Sequence, residues 1–261
     1  MIETIKRDFI FEININNPTA LNSFTIPQFV DLANAFKKSD EDRTTSITLL
    51  TSTGSFFSAG ADIKSVSKMR NQERLSYYNS ITSKNIYLVD TILSHKKLIV
   101  VALNGPVVGL SAALVNLMDV IWARKGGNPY IYFPFSSIGL VNECGVSASL
   151  SSRLGIGMAI DAVCLSRKIE LNELIRLGLI TKVFDCGEDE FNTIVRAELA
   201  KLGSRLDHSA IFKNKALLKK KFKREVTDII VEESMEGLQC WVEEKPQEAF
   251  RKMVLSKRGK L

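Results

Sequence analysis

Apolar and polar residues recur with clear periods along most of this chain. Phe9–Ile15 alternates apolar and polar residues, as a half-buried strand does, while Ile47–Thr51 and Leu98–Leu103 are short, largely apolar runs typical of buried strands. Between them, Thr25–Lys38 and Asn71–Ser94 carry apolar residues with the period of an amphipathic helix. The pattern therefore predicts strands and helices that alternate along the first half of the chain.

The second half continues this alternation and then changes to helices alone. Helices are predicted at Ser111–Met118, Gly145–Leu154, Met158–Leu165 and Leu171–Leu177, and strands at Val120–Ala123, Tyr130–Phe133 and Lys182–Asp185. No strand pattern follows Asp189. Such an order predicts a mixed α/β body with a C-terminal helical annex. We place the body at residues 1–200 and the annex at residues 201–261.

Length and composition favour one large domain with an appendage. The chain has 261 residues, 45% of them hydrophobic, which is enough to bury a full core. No apolar run approaches the roughly 20 residues of a membrane-spanning helix, and the charged segment Met1–Asp8 does not resemble a signal peptide. The cysteines show no C-x-x-C pairing, so we expect no disulfide framework, no metal site and a reducing intracellular environment. They are Cys144, Cys164, Cys186 and Cys240.

The formal net charge of +6 is concentrated in two basic segments, Lys213–Arg224 and Ser256–Leu261. The first has three interpretations: a solvated helix face, attraction to the phosphates of an anionic ligand, or nucleic-acid binding. Nucleic-acid binding is the least favoured of the three, because only Phe212 and Phe222 bring aromatic rings to this segment.

Two loops rich in small residues follow two of the predicted strands and lead into helices. The first is Ser55–Lys64 (SFFSAGADIK) and the second is Asn104–Ala113 (NGPVVGLSAA). Gly60 lets the backbone pass close to a ligand, and the start of a helix carries free N–H groups. One N–H from each loop could stabilise a single developing oxyanion, such as an enolate. Either loop alone could also be an ordinary turn between a strand and a helix.

The ordered pair of loops resembles the crotonase (enoyl-CoA hydratase/isomerase) superfamily, through the motifs F-x-x-G-A-D-[IF]-K and N-G-x-x-x-G-[LG]-[SG]. The resemblance extends from about Phe9 to about Asp185. It implies an α/β fold with a spiral core of ββα turns and a C-terminal helical oligomerisation region that assembles trimers or hexamers. It also implies a fatty acyl-CoA thioester as ligand. Coenzyme A is then part of the substrate, and no further cofactor is expected.

The same resemblance assigns the binding residues. It places the oxyanion hole at the backbone N–H groups of Ala61 and Leu110. The residues it places against the CoA thioester are Ala59, Gly60, Ala61, Asp62, Ile63 and Leu110. Hydratases of the family use two glutamates, at positions that Ala113 and Phe135 occupy here. The apparatus for adding water to a double bond is therefore predicted to be missing.

Glu143 is the only acid between Asp119 and Asp161. Its apolar neighbours would raise its pKa and make it a stronger base, although an exposed acid at the start of a helix is the alternative. Its position resembles that of the single catalytic glutamate in the peroxisomal Δ3,Δ2-enoyl-CoA isomerases of yeasts. Related isomerases carry an asparagine where Asn85 stands, and its amide could orient the glutamate. An exposed or locally bonded amide is the alternative.

These residues predict an isomerase of fatty acid β-oxidation that converts 3-enoyl-CoA to trans-2-enoyl-CoA, with Glu143 moving the proton from C2 to C4. The alternatives are a dienoyl-CoA isomerase, which uses two acids, and a non-catalytic paralogue that binds acyl-CoA or RNA. Gly259–Lys260–Leu261 resembles the peroxisomal address S-K-L, which predicts a peroxisomal import receptor as partner and a location in the peroxisomal matrix. A basic solvated tail is the alternative for this tripeptide.

Overall fold

The computed structural model describes residues 1–258, and side chains as far as residue 256. The strands are β1 Ile2–Arg7, β2 Ile10–Ile15, β3 Ile47–Ser52, β4 Leu98–Leu103, β5 Val107–Val108, β6 Val120–Arg124, β7 Tyr130–Tyr132, β8 Ile169–Glu170 and β9 Lys182–Phe184. The helices are α1 Ile26–Glu41, α2 Ile63–Val66, α3 Arg74–Tyr77, α4 Ser83–Ser94, α5 Gly109–Leu117, α6 Val146–Leu154, α7 Ile156–Cys164, α8 Leu171–Arg176, α9 Glu188–Gly203, α10 His208–Val242 and α11 Lys245–Arg258.

The strands form a six-stranded sheet in the order β1-β2-β3-β4-β6-β9 and a three-stranded sheet in the order β5-β7-β8. In the larger sheet β1 is antiparallel to β2, and all other neighbours are parallel. Parallel strands bring their carboxyl ends to one edge. The loops that leave β3 and β4 therefore start side by side.

Helices cover both faces of the larger sheet. On one face α1, α4 and α5 bury a large apolar core, to which Phe36 and Leu88 belong. On the other face α9 packs Phe191 and Val195 against the strands. Every residue of β3 is buried. Burial on both faces likewise explains why β4 is apolar throughout rather than alternating.

The predicted mixed α/β body with a C-terminal helical annex is confirmed. From Glu188 onward the described residues form the helices α9, α10 and α11. The boundary at residue 200 stays a prediction. No helix in the described part of the chain is long and apolar enough to cross a membrane.

Two parts of the fold differ from the predictions. Met1–Asp8 is not simply a charged terminus, because Ile2–Arg7 forms the edge strand β1, with Ile2 paired to Ile15. The single helix predicted at Asn71–Ser94 consists of α3, a π-helical turn at Tyr78–Thr82, and α4. A π turn inserts an extra residue and rotates the helix face.

Candidate active site

The loops after β3 and β4 are hydrogen-bonded to each other. The N–H of Val108 donates to the carbonyl oxygen of Ser58 at 3.0 Å, and the N–H of Phe57 donates to the carbonyl oxygen of Pro106 at 3.0 Å. The side chains of Ser58 and Ser111 form a further buried hydrogen bond of 2.8 Å. The two loops that the sequence singled out are thus one structural unit.

Gly60 lies at a close approach of the two loops. Its φ is +82°, and a Cβ atom there would stand 2.6 Å from the carbonyl oxygen of Val108. The close approach of this glycine to a ligand stays a prediction. The structure shows a close approach to the second loop, which itself requires a glycine because of the left-handed φ and the lack of space.

The backbone N–H groups of Ala61 and Leu110 are free of backbone acceptors within residues 1–258. Phe24 hydrogen-bonds to the residues on either side of Ala61, accepting from the N–H of Asp62 and donating to the carbonyl of Gly60, both at 2.8 Å. Because neighbouring residues of an extended segment point their N–H groups in opposite directions, the N–H of Ala61 points away from Phe24. Leu110 lies in the first turn of α5, where N–H groups have no acceptor within the helix.

Ala61 and Leu110 both line a cavity of about 240 Å³, here called the inner cavity. Most of its wall is apolar. The larger apolar residues in the wall are Phe24, Ile26, Phe29, Ile63, Val66, Ile81, Val108, Leu110, Pro134, Phe135, Ile138, Leu140, Trp241, Phe250 and Met253. The polar or charged side chains in its wall are Lys84, Tyr132, Ser137 and Glu143. Glu143 is the only carboxylate among the described residues that line this cavity.

Glu143 is 8% exposed, so it is a buried acid and not a solvent-facing one. The side-chain amide of Asn85 donates a hydrogen bond of 3.0 Å to its Oε1. Burial raises the pKa of Glu143, while the charge of Lys84, the Asn85 hydrogen bond and the nearby indole N–H of Trp241 act in the opposite direction, and burial prevails. The structure thus brings Asn85 and Glu143 together in a site where a carboxylate is more basic than in water.

Lys84 is a charged residue of the candidate site that the sequence analysis did not select. Its side chain is buried beside Glu143, and its Nζ lies 4.8 Å from the centroid of the Phe29 ring. Burial lowers its pKa, although the charge of Glu143 partly compensates. One signal was available in the sequence, since Lys84 precedes Asn85 and lies on the same side of the helix as Ile81 and Leu88.

The C-terminal annex completes the wall of the inner cavity. Trp241 from α10 and Phe250 and Met253 from α11 line it. The indole Nε1 of Trp241 is buried and has no acceptor at normal hydrogen-bond geometry among the described residues. The sequence predicted helices here but gave no signal that they would cover the site, because their docking depends on contacts distant in sequence.

A second, larger space of about 920 Å³, here called the outer groove, adjoins the inner cavity. Ala59, Ala61 and Ile63 line both spaces. The outer groove also contains the cations Lys64, Lys68 and Arg251. Its walls are therefore partly basic, unlike those of the inner cavity.

Two predicted contact residues have local structural roles. Asp62 borders the outer groove but not the inner cavity. It is the N-cap of α2, and its carboxylate accepts from the N–H of Lys64 at 2.8 Å and of Ser65 at 3.3 Å. Gly60 lines neither space and lies between the loops.

The positions of the two missing glutamates differ in their surroundings. Phe135 lines the inner cavity. Ala113 is fully buried in α5 and belongs to the main core. Within the described residues, no group of three His, Cys, Asp or Glu side chains is arranged to hold a metal ion. All four cysteines are free thiols.

The sequence profile of the family described as enoyl-CoA hydratase/isomerase matches residues 6–253. Since this match spans nearly the whole chain, the protein belongs to that family, which is the crotonase superfamily. An enoyl-CoA hydratase from Mycobacterium avium subsp. paratuberculosis superposes with a TM-score of 0.84 over 96% of this chain and 97% of its own, at 24% identity. The crotonase fold is thereby confirmed.

Several curated relatives are isomerases by name. A Delta(3,5)-Delta(2,4)-dienoyl-CoA isomerase of Pyricularia oryzae is 34% identical, over 95% of each chain. The 3,2-trans-enoyl-CoA isomerase of Saccharomyces cerevisiae is 28% identical, over 93% of this chain and 90% of its own. The mouse protein "Enoyl-CoA delta isomerase 3, peroxisomal" is 26% identical, over 96% of this chain and 77% of its own.

Proposed function

We propose that this protein is a Δ3,Δ2-enoyl-CoA isomerase, which converts cis- or trans-3-enoyl-CoA to trans-2-enoyl-CoA in the β-oxidation of unsaturated fatty acids. The observation that carries the proposal is Glu143, the one carboxylate among the described residues that line an apolar cavity. Ala61 and Leu110, whose backbone N–H groups have no backbone acceptor within residues 1–258, line the same cavity. A double-bond shift needs one group that removes a proton and returns it elsewhere. Hydration needs a second group to activate water.

In the proposed reaction the thioester oxygen accepts hydrogen bonds from the N–H groups of Ala61 and Leu110. The carboxylate of Glu143 removes a proton from C2, and the electron pair of that C–H bond forms a dienolate whose negative charge rests largely on the thioester oxygen. Each N–H of such a hole typically contributes roughly 3–4 kcal/mol to the transition state. The protonated Glu143 then delivers the same proton to C4, which leaves the double bond between C2 and C3.

The CoA part of the substrate is proposed to occupy the outer groove. Lys64, Lys68 and Arg251 there are cations that suit its phosphate groups. The acyl chain would enter the inner cavity past Ala59, Ala61 and Ile63, which line both spaces. The reaction requires neither a metal ion nor a cofactor apart from the CoA of the substrate.

A dienoyl-CoA isomerase is the second candidate, because the Pyricularia relative carries that name at 34% identity. That reaction moves protons with two acids, whereas only Glu143 supplies a carboxylate to the described lining of the inner cavity. We therefore favour the single-base isomerase. Measuring kcat/KM of the protein for 3-hexenoyl-CoA and for a 3,5-dienoyl-CoA would decide between the two candidate functions.

The deciding experiment measures conversion of 3-hexenoyl-CoA by the ultraviolet absorbance of the conjugated product. Glu143→Gln keeps the size and the Asn85 contact of the side chain but cannot accept the C2 proton. We expect at least a hundredfold loss of kcat, consistent with the usual contribution of a general base of roughly 10²–10⁴. Glu170→Gln, at an exposed glutamate, is the matched control. A Glu143→Gln enzyme with a tenth or more of wild-type kcat would refute the single-base mechanism.

We also propose a location in the peroxisomal matrix and a homotrimeric or homohexameric assembly. Support for the location comes from the mouse relative that is named peroxisomal. The predicted address Gly259–Lys260–Leu261 lies outside the described residues. Its recognition by an import receptor stays a prediction. Imaging of an N-terminally tagged chain, with and without Lys260–Leu261, tests the location, and light scattering of the purified protein tests the assembly.

A further inference from the structure

The backbone directly after Glu143 has an unusual conformation. Cys144 has a φ of +58° and Gly145 has a φ of +75°, so two consecutive residues are left-handed. For Cys144 this conformation is intrinsically unfavourable, by about 1–2 kcal/mol. Such a turn persists only where its surroundings hold it. The orientation of Glu143 therefore depends on contacts made by the residues that follow it.

Glu233 of α10 supplies those contacts. Its carboxylate accepts hydrogen bonds from the N–H of Gly145 at 2.6 Å and from the N–H of Ser147 at 2.7 Å. These N–H groups belong to the left-handed turn and to the first turn of α6, where helix N–H groups otherwise lack acceptors. An anion is also favoured by the dipole at this end of α6. Glu233 is 6% exposed.

Helix α10 meets the same turn at a second point. A Cβ atom at Gly145 would lie 2.4 Å from Cγ1 of Val226, which precedes Glu233 by two helical turns. No side chain larger than hydrogen fits between the turn and α10. The helix that carries Glu233 is thus packed directly against the backbone that carries Glu143.

We propose that Glu233 is a positioning residue for the base, fixing the Glu143–Ser147 segment through two backbone N–H groups and adding a negative charge behind the Glu143 carboxylate. The inference rests on the proposed role of Glu143. Glu233 has no part in the wall of the inner cavity, so it acts through the backbone and through its charge and does not touch substrate.

Three titratable groups face Glu143 from the elements packed against it: Lys84 from α4, Glu233 from α10, and the neighbouring Cys144. The charge of Glu233 raises the pKa of Glu143 and that of Lys84 lowers it. Removing the charge of Glu233 should therefore lower the pKa of Glu143 and weaken it as a base. Releasing the turn should in addition misplace the carboxylate relative to C2 and C4.

The test compares Glu233→Gln and Glu233→Asp with the control Glu236→Gln, an exposed glutamate one turn further along α10. Glu233→Gln loses the charge, and its amide group can accept only through one oxygen. We expect kcat to fall roughly tenfold to a hundredfold, since small misplacements of catalytic groups have effects of that size. KM should stay within about twofold of the wild-type value. The acid limb of the pH profile, where kcat/KM falls as the base becomes protonated, should move to lower pH.

Glu233→Asp separates position from charge. It keeps the carboxylate but is one methylene too short to reach both N–H groups, so kcat should fall while the acid limb moves less than in Glu233→Gln. If kcat and the acid limb of Glu233→Gln equal those of Glu236→Gln, the inference is overturned. Thermal unfolding shows whether each variant is folded.

Two measurements keep this inference separate from the proposed function. Absence of isomerase activity in the wild type refutes the function, and the carbon-13 titration of the Glu143 carboxyl then tests the role of Glu233 without turnover. A lower pKa of Glu143 in Glu233→Gln supports the inference, and an unchanged value contradicts it.

If Glu233→Gln does not fold, the positioning role is tested by hydrogen exchange of the Gly145 and Ser147 amides in the wild type and in Glu233→Asp. Equal exchange in both proteins would contradict a positioning role.

Discussion

At the scale of single residues, Asn85 links the proposed base, Glu143, to helix α4. Its hydrogen bond to Oε1 of Glu143 stabilises the carboxylate and acts to lower its pKa against the effect of burial. Within the described residues the Oδ1 of Asn85 is buried without a donor. Among the described residues, the bond to Glu143 is thus the side-chain hydrogen bond that accounts for this buried amide.

Asn85→Ala should raise the pKa of Glu143, because a hydrogen bond to the charged form is lost. The acid limb of kcat/KM should move to higher pH, and kcat should fall roughly tenfold as the carboxylate loses its fixed orientation. A pH profile with 3-hexenoyl-CoA measures both effects. Asn79→Ala, at an exposed position of the same helical segment, is the control. An acid limb that coincides with the wild type would contradict the role of Asn85.

Gly60 offers a test of the contact between the loops. Gly60→Ala would force an alanine into a left-handed φ and place its Cβ 2.6 Å from the carbonyl oxygen of Val108. We expect a loss of about 1–3 kcal/mol in the free energy of unfolding. The N–H of Ala61, the next residue, should move away from that of Leu110, so kcat should fall as well.

The control for this substitution is Gly157→Ala. Gly157 lies in α7, has open space around a Cβ atom and has no left-handed φ. It should leave stability unchanged or increase it by about 0.5–1 kcal/mol, the usual gain of alanine over glycine in a helix. Urea unfolding and isomerase assays of both variants give the comparison. Equal stability of Gly60→Ala and Gly157→Ala would show that the loops do not need the glycine.

At the scale of elements, His95 joins the end of α4 to the neighbouring strand. Its Nε2 forms a hydrogen bond of 2.6 Å with the hydroxyl of Thr48 in β3. Burial, followed by the positive charge of Lys215, lowers the pKa of His95 to about 4 from 6.5. The ring is therefore neutral in the folded protein at neutral pH, while an unfolded chain would bind a proton there below pH 6.5.

This difference predicts a pH-dependent stability. Since the unfolded state binds the extra proton, the free energy of unfolding should decrease as the pH falls from about 6.5 to about 4, by up to roughly 3 kcal/mol for this group. His95→Gln should be less stable near pH 7 but should lose less stability across that window. Urea unfolding at several pH values measures the slopes, with His208→Gln as control. Parallel slopes for His95→Gln and the wild type would contradict the prediction.

The helices and strands show which elements could be predicted from the pattern of apolar and polar residues. Buried strands such as β3 and β4 and long amphipathic helices are predicted because their burial repeats over several residues. The strands β5 and β8 have two residues each, too few for a period. Leu75 is an apolar residue of the helix predicted at Asn71–Ser94, yet it is 65% exposed. The π turn that follows it rotates the buried face, and the periodicity of a regular helix cannot predict such a rotation.

At the scale of the whole molecule, the site combines segments far apart in the chain. The two loops and Glu143 could be predicted from sequence motifs, because their chemistry needs particular residues at fixed spacing. Trp241 and Glu233 could not be assigned, since their place in the site comes from how α10 packs around Glu143, and for Lys84 the helical spacing from Ile81 and Leu88 was the available signal. A residue can be part of a site without any local motif when tertiary packing brings it there.

The whole set of residues around the inner cavity also predicts what the enzyme does not catalyse. Hydration of a 2-enoyl-CoA requires one group to activate water and another to protonate C2, and the described lining offers one carboxylate. Phe135 occupies the wall at one position of a hydratase glutamate, and Ala113 is buried in the core at the other. A water molecule beside C3 would therefore have few polar partners and no second acid, and the apolar wall would favour return of the proton to the substrate.

We expect hydration of crotonyl-CoA to be slower than isomerisation of 3-hexenoyl-CoA by at least about three orders of magnitude, or roughly 4 kcal/mol in the barrier. Both rates are measured with one preparation, by formation of 3-hydroxybutyryl-CoA and of conjugated enoyl-CoA. The Glu143→Gln variant is the control for contaminating hydratase, because any hydration that it retains at the wild-type rate does not come from this site. Comparable rates of the two reactions in the wild type, abolished together in Glu143→Gln, would mean that Glu143 can activate water without a second acid. That result would refute the single-function isomerase.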